Sequence, residues 1–176
     1  MASVDLRAIQ APLKERYRLD PASATVVTVA CSVPFDPSDP QHCVVAPTEF
    51  PDVQIRSGLH PAAGGTGDVP CPGDILAAAL VICEESTIRS VAGNMGIELQ
   101  SLEVEARIHW DFRGTMGVDR ETPVGAAGIE LRSRVKLKEG ANQERAQKLL
   151  GSTERYCSTL QTLRHGVEVK IDFELE

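Results

Sequence analysis

The sequence DILAAALVICEESTIRSVAGNM, residues 74–95, decides the fold of this chain. Its apolar run Ile75–Cys83 follows Asp74, an acidic residue suited to the first turn of a helix, and Gly93 supplies a natural stop. The apolar run is nine residues long, whereas a membrane-spanning helix needs about 20. The stretch therefore predicts a long central helix buried inside the protein, and no membrane partner.

The periodicity of apolar residues on either side of this helix predicts the other elements. A leading amphipathic helix falls within residues 1–20, and β-branched runs between proline-rich turns indicate a three-stranded meander over 24–58. The part after the helix, 98–176, reads as two alternating strands, an amphipathic helix and a final strand, at 99–112, 129–137, 142–156 and 167–175. Because strands and helices do not alternate regularly, we expect one α+β domain over 1–176 with antiparallel sheets.

Composition and charge limit the classes of function. With 25 acidic and 18 basic residues, the chain has a net charge of −7 and a pI near 5.1. This balance opposes the clustered cations that a nucleic-acid partner requires. The charged N-terminal residues do not fit a secretory signal, so we expect a cytoplasmic protein. Five cysteines at irregular spacing indicate reduced thiols rather than a disulfide scaffold.

Cys83 is the first candidate for chemistry. It shares a helical face with Ala79 and Leu80, so its side chain is expected to point toward apolar surroundings. Free cysteine often only packs in a core, and packing is the simpler interpretation of this residue taken alone. Glu84 and Glu85 follow directly, and because nearby carboxylates disfavour a thiolate, they predict low reactivity.

Cys157 is the second candidate. It ends one predicted helix, and Ser158–Gln161 reads as a capping box that opens another. The free N–H groups and positive dipole at a helix N-terminus favour the thiolate, which is the nucleophilic form. We therefore expect a lowered pKa for Cys157, with a core residue at a helix junction as the alternative. Cys83 and Cys157 are 74 residues apart, and only the fold decides whether they meet.

The remaining reactive groups have simpler structural explanations. Gly64–Gly67 lacks the Lys-Ser/Thr of a phosphate-binding loop and the βαβ frame of a dinucleotide site, so no cofactor is expected. The histidines and other cysteines show no CxxC or HxxxH spacing, so no metal is expected. Cys71 adjoins prolines in a loop that can leave it exposed, and Asp74 is expected to stabilise the N-terminus of the central helix.

Two segments together resemble the OsmC/Ohr family. Cys71–Cys83, with its proline, acidic residue, leucines and small residues, is similar to the family's segment around the first cysteine on the central helix. Glu154–Leu163 is similar to the segment around the second cysteine. The resemblance covers most of residues 60–176, and the leading helix looks like that of a subgroup.

The resemblance implies an intertwined homodimer in which two sheets surround paired central helices. It also implies the reduction of organic hydroperoxides or hydrogen peroxide, a role in the oxidative stress response. Cys83 would be the peroxidatic cysteine, which forms a sulfenic acid, and Cys157 the resolving cysteine, which converts it to a disulfide. An external dithiol would be the reductant.

Departures from the family pattern keep a second hypothesis open. The arginine that peroxidase branches use near the first strands is missing from 34–41. Possible substitutes are Arg16, Arg18 and Arg56. Gly73-Asp74 stands where the family has a glutamate, and Glu84-Glu85 where it has apolar or small residues. The alternative is a non-catalytic member that binds a small apolar or thiol-reactive ligand or senses oxidants, and a structural or interaction module is a third hypothesis.

Overall fold

The computed structural model describes residues 4–140 and 143–175 and contains two antiparallel sheets and a long central helix. The elements, in chain order, are α1 (Leu6–Leu19), β1 (Ala30–Ser32), β2 (His42–Pro47), β3 (Ile55–Gly58), α2 (Pro72–Met95), β4 (Leu99–His109), α3 (Phe112–Thr115), β5 (Gly128–Leu137), α4 (Gln143–Tyr156) and α5 (Ser158–His165). One sheet has the order β1-β2-β3, and β4 pairs with β5 in the other. The predicted α+β class is confirmed, with α2 as its central helix.

The chain divides into two compact units. The first contains the residues up to Ala78 together with Ala106–Arg132, and the second contains Ala79–Glu105 and the residues from Ser133 onward. Because α2, β4 and β5 each continue from one unit into the other, the single domain over 1–176 stays a prediction. Within the described ranges, no helix combines the length and apolar character needed to cross a membrane.

The core of the second unit is built on one face of α2. Leu80, Glu84, Ile88 and Ala92 are buried at four-residue intervals, a spacing that aligns side chains in one row along a helix. Fully buried side chains from the chain after β5 complete this core, namely Leu149, Thr153 and Cys157. We call Leu80, Glu84, Ile88 and Ala92 the buried row of α2. Glu84 is the charged member of that row.

The first strand is shorter than its sequence predicts. The β-branched run begins near Ala24, but β1 begins only at Ala30, and its pairing register with β2 runs over Ala30–Ser32. Val26 and Val27, which precede the strand, are 83% and 79% exposed. High β-propensity alone does not form a strand, because each strand needs a neighbouring backbone to bond.

The predicted final strand at 167–175 is wrong for this chain, since these residues, all described, belong to neither strand nor helix. Their apolar side chains are at least 68% exposed, and they alternate along the segment: Val167, Val169, Ile171, Phe173 and Leu175. The pattern is that of a strand, but the described chain provides no adjacent strand to pair with it.

Helices α1 and α4 differ from the predicted helices in the range described, and α4 also differs in the face that it buries. Residues 1–3 and Asn142 lie outside the described residues, so α1 and α4 are described from Leu6 and Gln143. The sequence periodicity predicts that α4 turns Ala146, Leu149, Leu150 and Thr153 inward. Leu149 and Thr153 are buried as predicted, whereas Leu150 is 51% exposed and does not face inward. Leu150 lies one residue beyond the buried position, about 100° round the helix.

Candidate active site

Cys83, on α2, lies against the start of α5. Its Sγ is 3.5 Å from the hydroxyl oxygen of Ser158 and 3.5 Å from the backbone nitrogen of Thr159. The first N–H groups of a helix have no acceptor within the helix, so the N–H of Thr159 is available to donate to the sulfur. The fold thereby brings Cys83 to a helix N-terminus 75 residues away in the sequence.

Hydrogen bonds determine the acidity of Cys83. Partial burial acts to raise its pKa, but the hydroxyl of Ser158, the side chain and N–H of Thr159 and the thiol of Cys157 together lower the pKa from 9.0 to about 7. Each of these groups stabilises the negative sulfur, because a hydrogen bond to the charged form favours that form. The lowered pKa increases the share of Cys83 that is present as thiolate at neutral pH.

Cys157 has the opposite character. It is fully buried and occupies the N-cap position of α5, without a side-chain capping hydrogen bond. Burial is the main cause that raises its pKa to about 12; the backbone of Leu160 counteracts it, and the neighbouring Cys83 and Glu84 add to it. The expected lowered pKa of Cys157 is wrong, because the N-terminus of α5 serves the sulfur of Cys83 and burial dominates at Cys157.

The predicted capping box at Ser158–Gln161 is also wrong, although a helix does begin there. Cys157, not Ser158, is the N-cap. The side-chain amide of Gln161 donates to the carbonyl of Glu154, at 2.7 Å, rather than folding back to the helix start. Ser158 is thereby left free to contact Cys83.

The two glutamates after Cys83 have different partners. Glu85 forms an ion pair with Arg89, one helical turn later, with 2.5 Å between Oε1 and Nη2. Glu84 is only 7% exposed; its Oε1 accepts a hydrogen bond from Ser133 at 3.3 Å, and no partner for its Oε2 is found in the described residues. The sequence predicts that both carboxylates disfavour the thiolate of Cys83, yet the pKa of Cys83 is lowered.

A cavity of about 470 Å³ lies within the first unit. Its volume is in the range of small-molecule sites, and its lining is mostly apolar, with Trp110 and Phe112 among the larger side chains. The ring of His60, also in the lining, stacks on Phe112 with 4.9 Å between centroids. The cavity could hold a small, largely apolar molecule.

Cys71 and Asp74 also line this cavity. Cys71 is 8% exposed, so the expected exposure of this thiol is wrong. Its backbone N–H donates to Oδ2 of Asp74 at 2.9 Å, and this hydrogen bond lowers the pKa of Asp74. Asp74 thus stands in the first turn of α2, where it satisfies an N–H that the helix leaves without a partner.

The arginines considered as substitutes for the family's arginine make surface contacts. Arg16 lies over the ring of Tyr17, Arg18 pairs with Glu15 at 2.8 Å, and the Arg56–Asp68 distance is 4.0 Å. The groups that lower the pKa of Cys83 are hydroxyl, amide and thiol groups. Neutral hydrogen-bond donors therefore do what a cation was expected to do.

The sequence does not predict the roles that Ser158, Thr159 and Glu84 have at this site. The helix start after Cys157 was visible in the sequence. The sequence did not show which sulfur this helix start would face, because that depends on how α5 packs against α2. Glu84 directly follows an apolar stretch, and a charged residue at such a position is the signal that could have identified it as a residue of this site.

A family model for OsmC-like proteins matches residues 65–172, a range that includes both Cys83 and Cys157. The chain belongs to the OsmC-like protein family. A search of curated proteins finds no match for this OsmC-like protein.

Solved structures share the fold of this OsmC-like protein. An organic hydroperoxide resistance protein OsmC from Legionella pneumophila has a TM-score of 0.59 and 23% identity, with 82% of this chain and 94% of that one covered. An OsmC-like protein from Mycoplasma pneumoniae has a TM-score of 0.61 and 16% identity, with coverages of 80% and 89%. The organic hydroperoxide resistance protein OhrB of Bacillus subtilis has a TM-score of 0.52 and 17% identity, with coverages of 82% and 96%.

Proposed function

We propose that this OsmC-like protein is a thiol-dependent peroxide reductase, with Cys83 as the peroxidatic cysteine and Cys157 as the resolving cysteine. The observation that carries the proposal is the contact of the Cys83 sulfur with Ser158 and Thr159 at the start of α5. This contact, with a pKa of about 7, makes Cys83 a nucleophile at neutral pH. The substrate class comes from relatives that are named organic hydroperoxide resistance proteins.

The proposed reaction has three steps. The Cys83 thiolate attacks one oxygen of the peroxide, the O–O bond breaks, and the departing alkoxide or hydroxide takes a proton from water; Cys83 becomes a sulfenic acid. The sulfur of Cys157 then attacks the sulfur of Cys83, so that a disulfide forms and water leaves. An external dithiol reduces this disulfide and returns both cysteines to thiols.

A homodimer forms part of the proposal. The exposed alternating side chains of residues 167–175 support it, because an exposed row of apolar side chains is a surface that another chain can cover. A second copy of this chain is the partner that the family resemblance suggests.

The function is tested by consumption of cumene hydroperoxide, an organic hydroperoxide, in the presence of dithiothreitol. Cys83→Ser is expected to abolish consumption, and Cys157→Ser to consume one equivalent and then depend on direct reduction of the sulfenic acid. Cys43→Ser, at an exposed cysteine, is the matched control and should behave as wild type. An inert, fully reduced wild type contradicts the proposal.

A small-ligand binder or redox sensor is the second candidate, and the cavity in the first unit favours it. Trp110, the one tryptophan of the sequence, lines that cavity and reports on its occupancy. A wild type without turnover whose tryptophan fluorescence is quenched by anilinonaphthalene sulfonate would support this candidate. Ala77→Trp, which fills the cavity lining, should weaken the binding of this probe, and unchanged binding would exclude the cavity as its site.

A further inference from the structure

We propose that the cavity of the first unit binds a small organic cation, namely an ammonium group attached to an apolar body. The cavity is lined by residues of the first unit, whereas Cys83 and Cys157 belong to the second. The inference therefore goes beyond the proposed peroxide reductase and does not rest on it. It also assigns a charge to the ligand, which the ligand-binding candidate leaves open.

The size and walls of the cavity favour a ligand with an apolar body. Its volume of about 470 Å³ lies in the range of small-molecule sites. Aliphatic and aromatic side chains form most of the walls, among them Leu59, Ile108, Trp110, Phe112 and Val124. A ligand that covers these side chains removes apolar surface from water, which is favourable.

Asp74 gives the cavity a negative charge. It lines the cavity from the first turn of α2, and the hydrogen bond from the backbone N–H of Cys71 lowers its pKa, so it is a carboxylate at neutral pH. That hydrogen bond uses Oδ2, at 2.9 Å. Because an ionised carboxylate has about four acceptor sites, Asp74 can accept a further hydrogen bond from an ammonium group.

The described residues of the lining supply no lysine or arginine to balance this charge. Arg113, which stands between the lining residues Phe112 and Thr115 in the sequence, is held by two other carboxylates. Its Nη2 is 2.6 Å from Asp111, and its Nη1 is 3.9 Å from Asp119. The charge of Asp74 is thus left for a cationic ligand to balance.

His60 is the other titratable nitrogen base to consider in the lining. Its Nδ1 accepts a hydrogen bond from the backbone N–H of Ala62 at 3.0 Å. A ring nitrogen that accepts a hydrogen bond carries no proton, so with this bond in place the imidazole is neutral, with its hydrogen on Nε2. Its ring is stacked on Phe112. His60 therefore contributes an aromatic wall rather than a cation.

Trp110 packs against the first turn of α2, the turn that carries Asp74. A Cβ added at Gly73, the preceding residue, would lie only 3.2 Å from Nε1 of Trp110 and 3.4 Å from Sγ of Cys71. Glycine at this position thus lets the indole approach the helix. Aromatic rings attract ammonium groups through their faces, so the indole and the carboxylate favour a ligand of the same charge.

The test compares three ligands that share one apolar body. 3-Phenylpropylamine is a cation at neutral pH, 3-phenylpropanol is uncharged and 3-phenylpropanoate is an anion. Their binding to the full, reduced chain is measured by isothermal titration calorimetry. The amine is expected to bind about tenfold more tightly than the alcohol, and the propanoate most weakly. An amine that binds no more tightly than the alcohol, or does not bind, overturns the proposal.

Asp74→Asn tests the carboxylate, because it removes the charge and keeps an oxygen that can accept from the Cys71 N–H. Since Asp74 is exposed to solvent, the variant should weaken amine binding by a moderate factor, about fivefold, and leave alcohol binding within about twofold. Asp52→Asn, at an exposed aspartate of the same unit that is not among the lining residues, is the matched control and should bind like wild type.

Equal losses of amine and alcohol affinity in Asp74→Asn would show a structural effect and overturn the role of the carboxylate. The comparison of the three ligands on wild type decides the proposal even if this variant does not fold.

Ala77→Trp tests the location. Its larger side chain fills part of the cavity, so the amine and the alcohol should both bind at least about tenfold more weakly. Unchanged amine binding would place the cation elsewhere and overturn the proposal. Cys83→Ser should bind the amine like wild type, because Cys83 is not among the lining residues. Failure of the peroxide reductase proposal therefore leaves this test intact.

Discussion

Cys83 and Cys157 carry the same thiol group, yet their pKa values are about 7 and about 12. The difference comes from a few neighbouring atoms. Three residues donate hydrogen bonds to the sulfur of Cys83, whereas complete burial and the nearby Glu84 hold Cys157 in its neutral form. In the proposed reaction this division fits the order of events, since Cys83 reacts first and Cys157 only after Cys83 has been oxidised.

Ser158→Ala tests the hydrogen bond to Cys83 directly. Loss of the hydroxyl, 3.5 Å from the sulfur, destabilises the thiolate and should raise the pKa of Cys83 by about one unit. The thiolate is the form above the pKa, so the rate of Cys83 alkylation by iodoacetamide, followed by mass spectrometry, should rise through pH 7 in wild type and about one unit higher in the variant. Ser86→Ala, at an exposed site of α2, is the control, and an unchanged midpoint in Ser158→Ala would sink the assignment.

At the scale of elements, the core of the second unit is formed by the buried row of α2 and the buried face of α4. Leu149 is 1% exposed and the adjacent Leu150 is 51% exposed, although both are leucines in one amphipathic helix. The face that a helix buries is set by rotation about its axis, and one residue changes that rotation by about 100°.

Leu149→Ala and Leu150→Ala form a matched pair for this face. Removal of a buried leucine leaves a cavity, so Leu149→Ala should lower the free energy of unfolding by about 2–5 kcal/mol. Leu150→Ala should change it by less than about 1 kcal/mol. Urea denaturation monitored by circular dichroism measures both, and equal losses would mean that α4 buries a different face.

His42, at the start of β2, connects the meander to the glycine-rich segment that follows β3. Its Nδ1 is 2.8 Å from Asp39 and its Nε2 is 3.0 Å from Asp68. The hydrogen bond to Asp68, followed by the one to Asp39, raises the pKa of His42 above 6.5. A raised folded-state pKa means that the stabilisation is complete below pH 6.5 and is lost as the pH rises through the higher value.

Hydrogen exchange can measure this connection. The Leu59 N–H, bonded to the Gln41 carbonyl at 2.9 Å, should lose protection as the pH rises above 6.5, after correction for intrinsic exchange. His42→Ala should remove the pH dependence, because no imidazolium then bridges the two aspartates. His109→Ala, which removes an exposed pair with Glu130, is the control. If protection of the Leu59 N–H in wild type does not depend on pH, protonated His42 does not stabilise this connection.

At the scale of the whole molecule, residues 167–175 are an exposed segment that is neither strand nor helix. Odd-numbered positions are apolar and at least 68% exposed, while Glu168, Lys170, Asp172 and Glu174 occupy the even positions. Such alternation is typical of a strand with one covered face. The proposed homodimer would provide that cover.

Ile171→Asp combined with Phe173→Asp should therefore prevent dimer formation, because charges on the apolar row cannot be buried without cost. Light scattering after gel filtration should give wild type a mass of about twice the 19.0 kDa of the chain and the double variant the mass of a single chain. Asp172→Asn, on the opposite face of the segment, should remain dimeric. A wild type at single-chain mass would rule the dimer out.

The sequence by itself determined the helices α1, α2 and α4, the order of strands β1 to β5, and the pair of cysteines worth examining. Apolar periodicity, capping residues and turn residues are local signals, so α2 and β5 could be placed from their own residues. The odd-numbered apolar positions at 167–175 likewise indicated strand character, although not whether a neighbouring strand exists.

Only the tertiary structure decided which thiol meets the N-terminus of α5, and that Glu84 is buried with Ser133 as a hydrogen-bond partner while Glu85 pairs with Arg89. These outcomes depend on contacts between residues far apart in the sequence and on the rotation of one helix against another. Since hydrogen bonds and burial act over a few ångströms, neither the acidity of Cys83 nor the neutrality of Cys157 could follow from spacing alone.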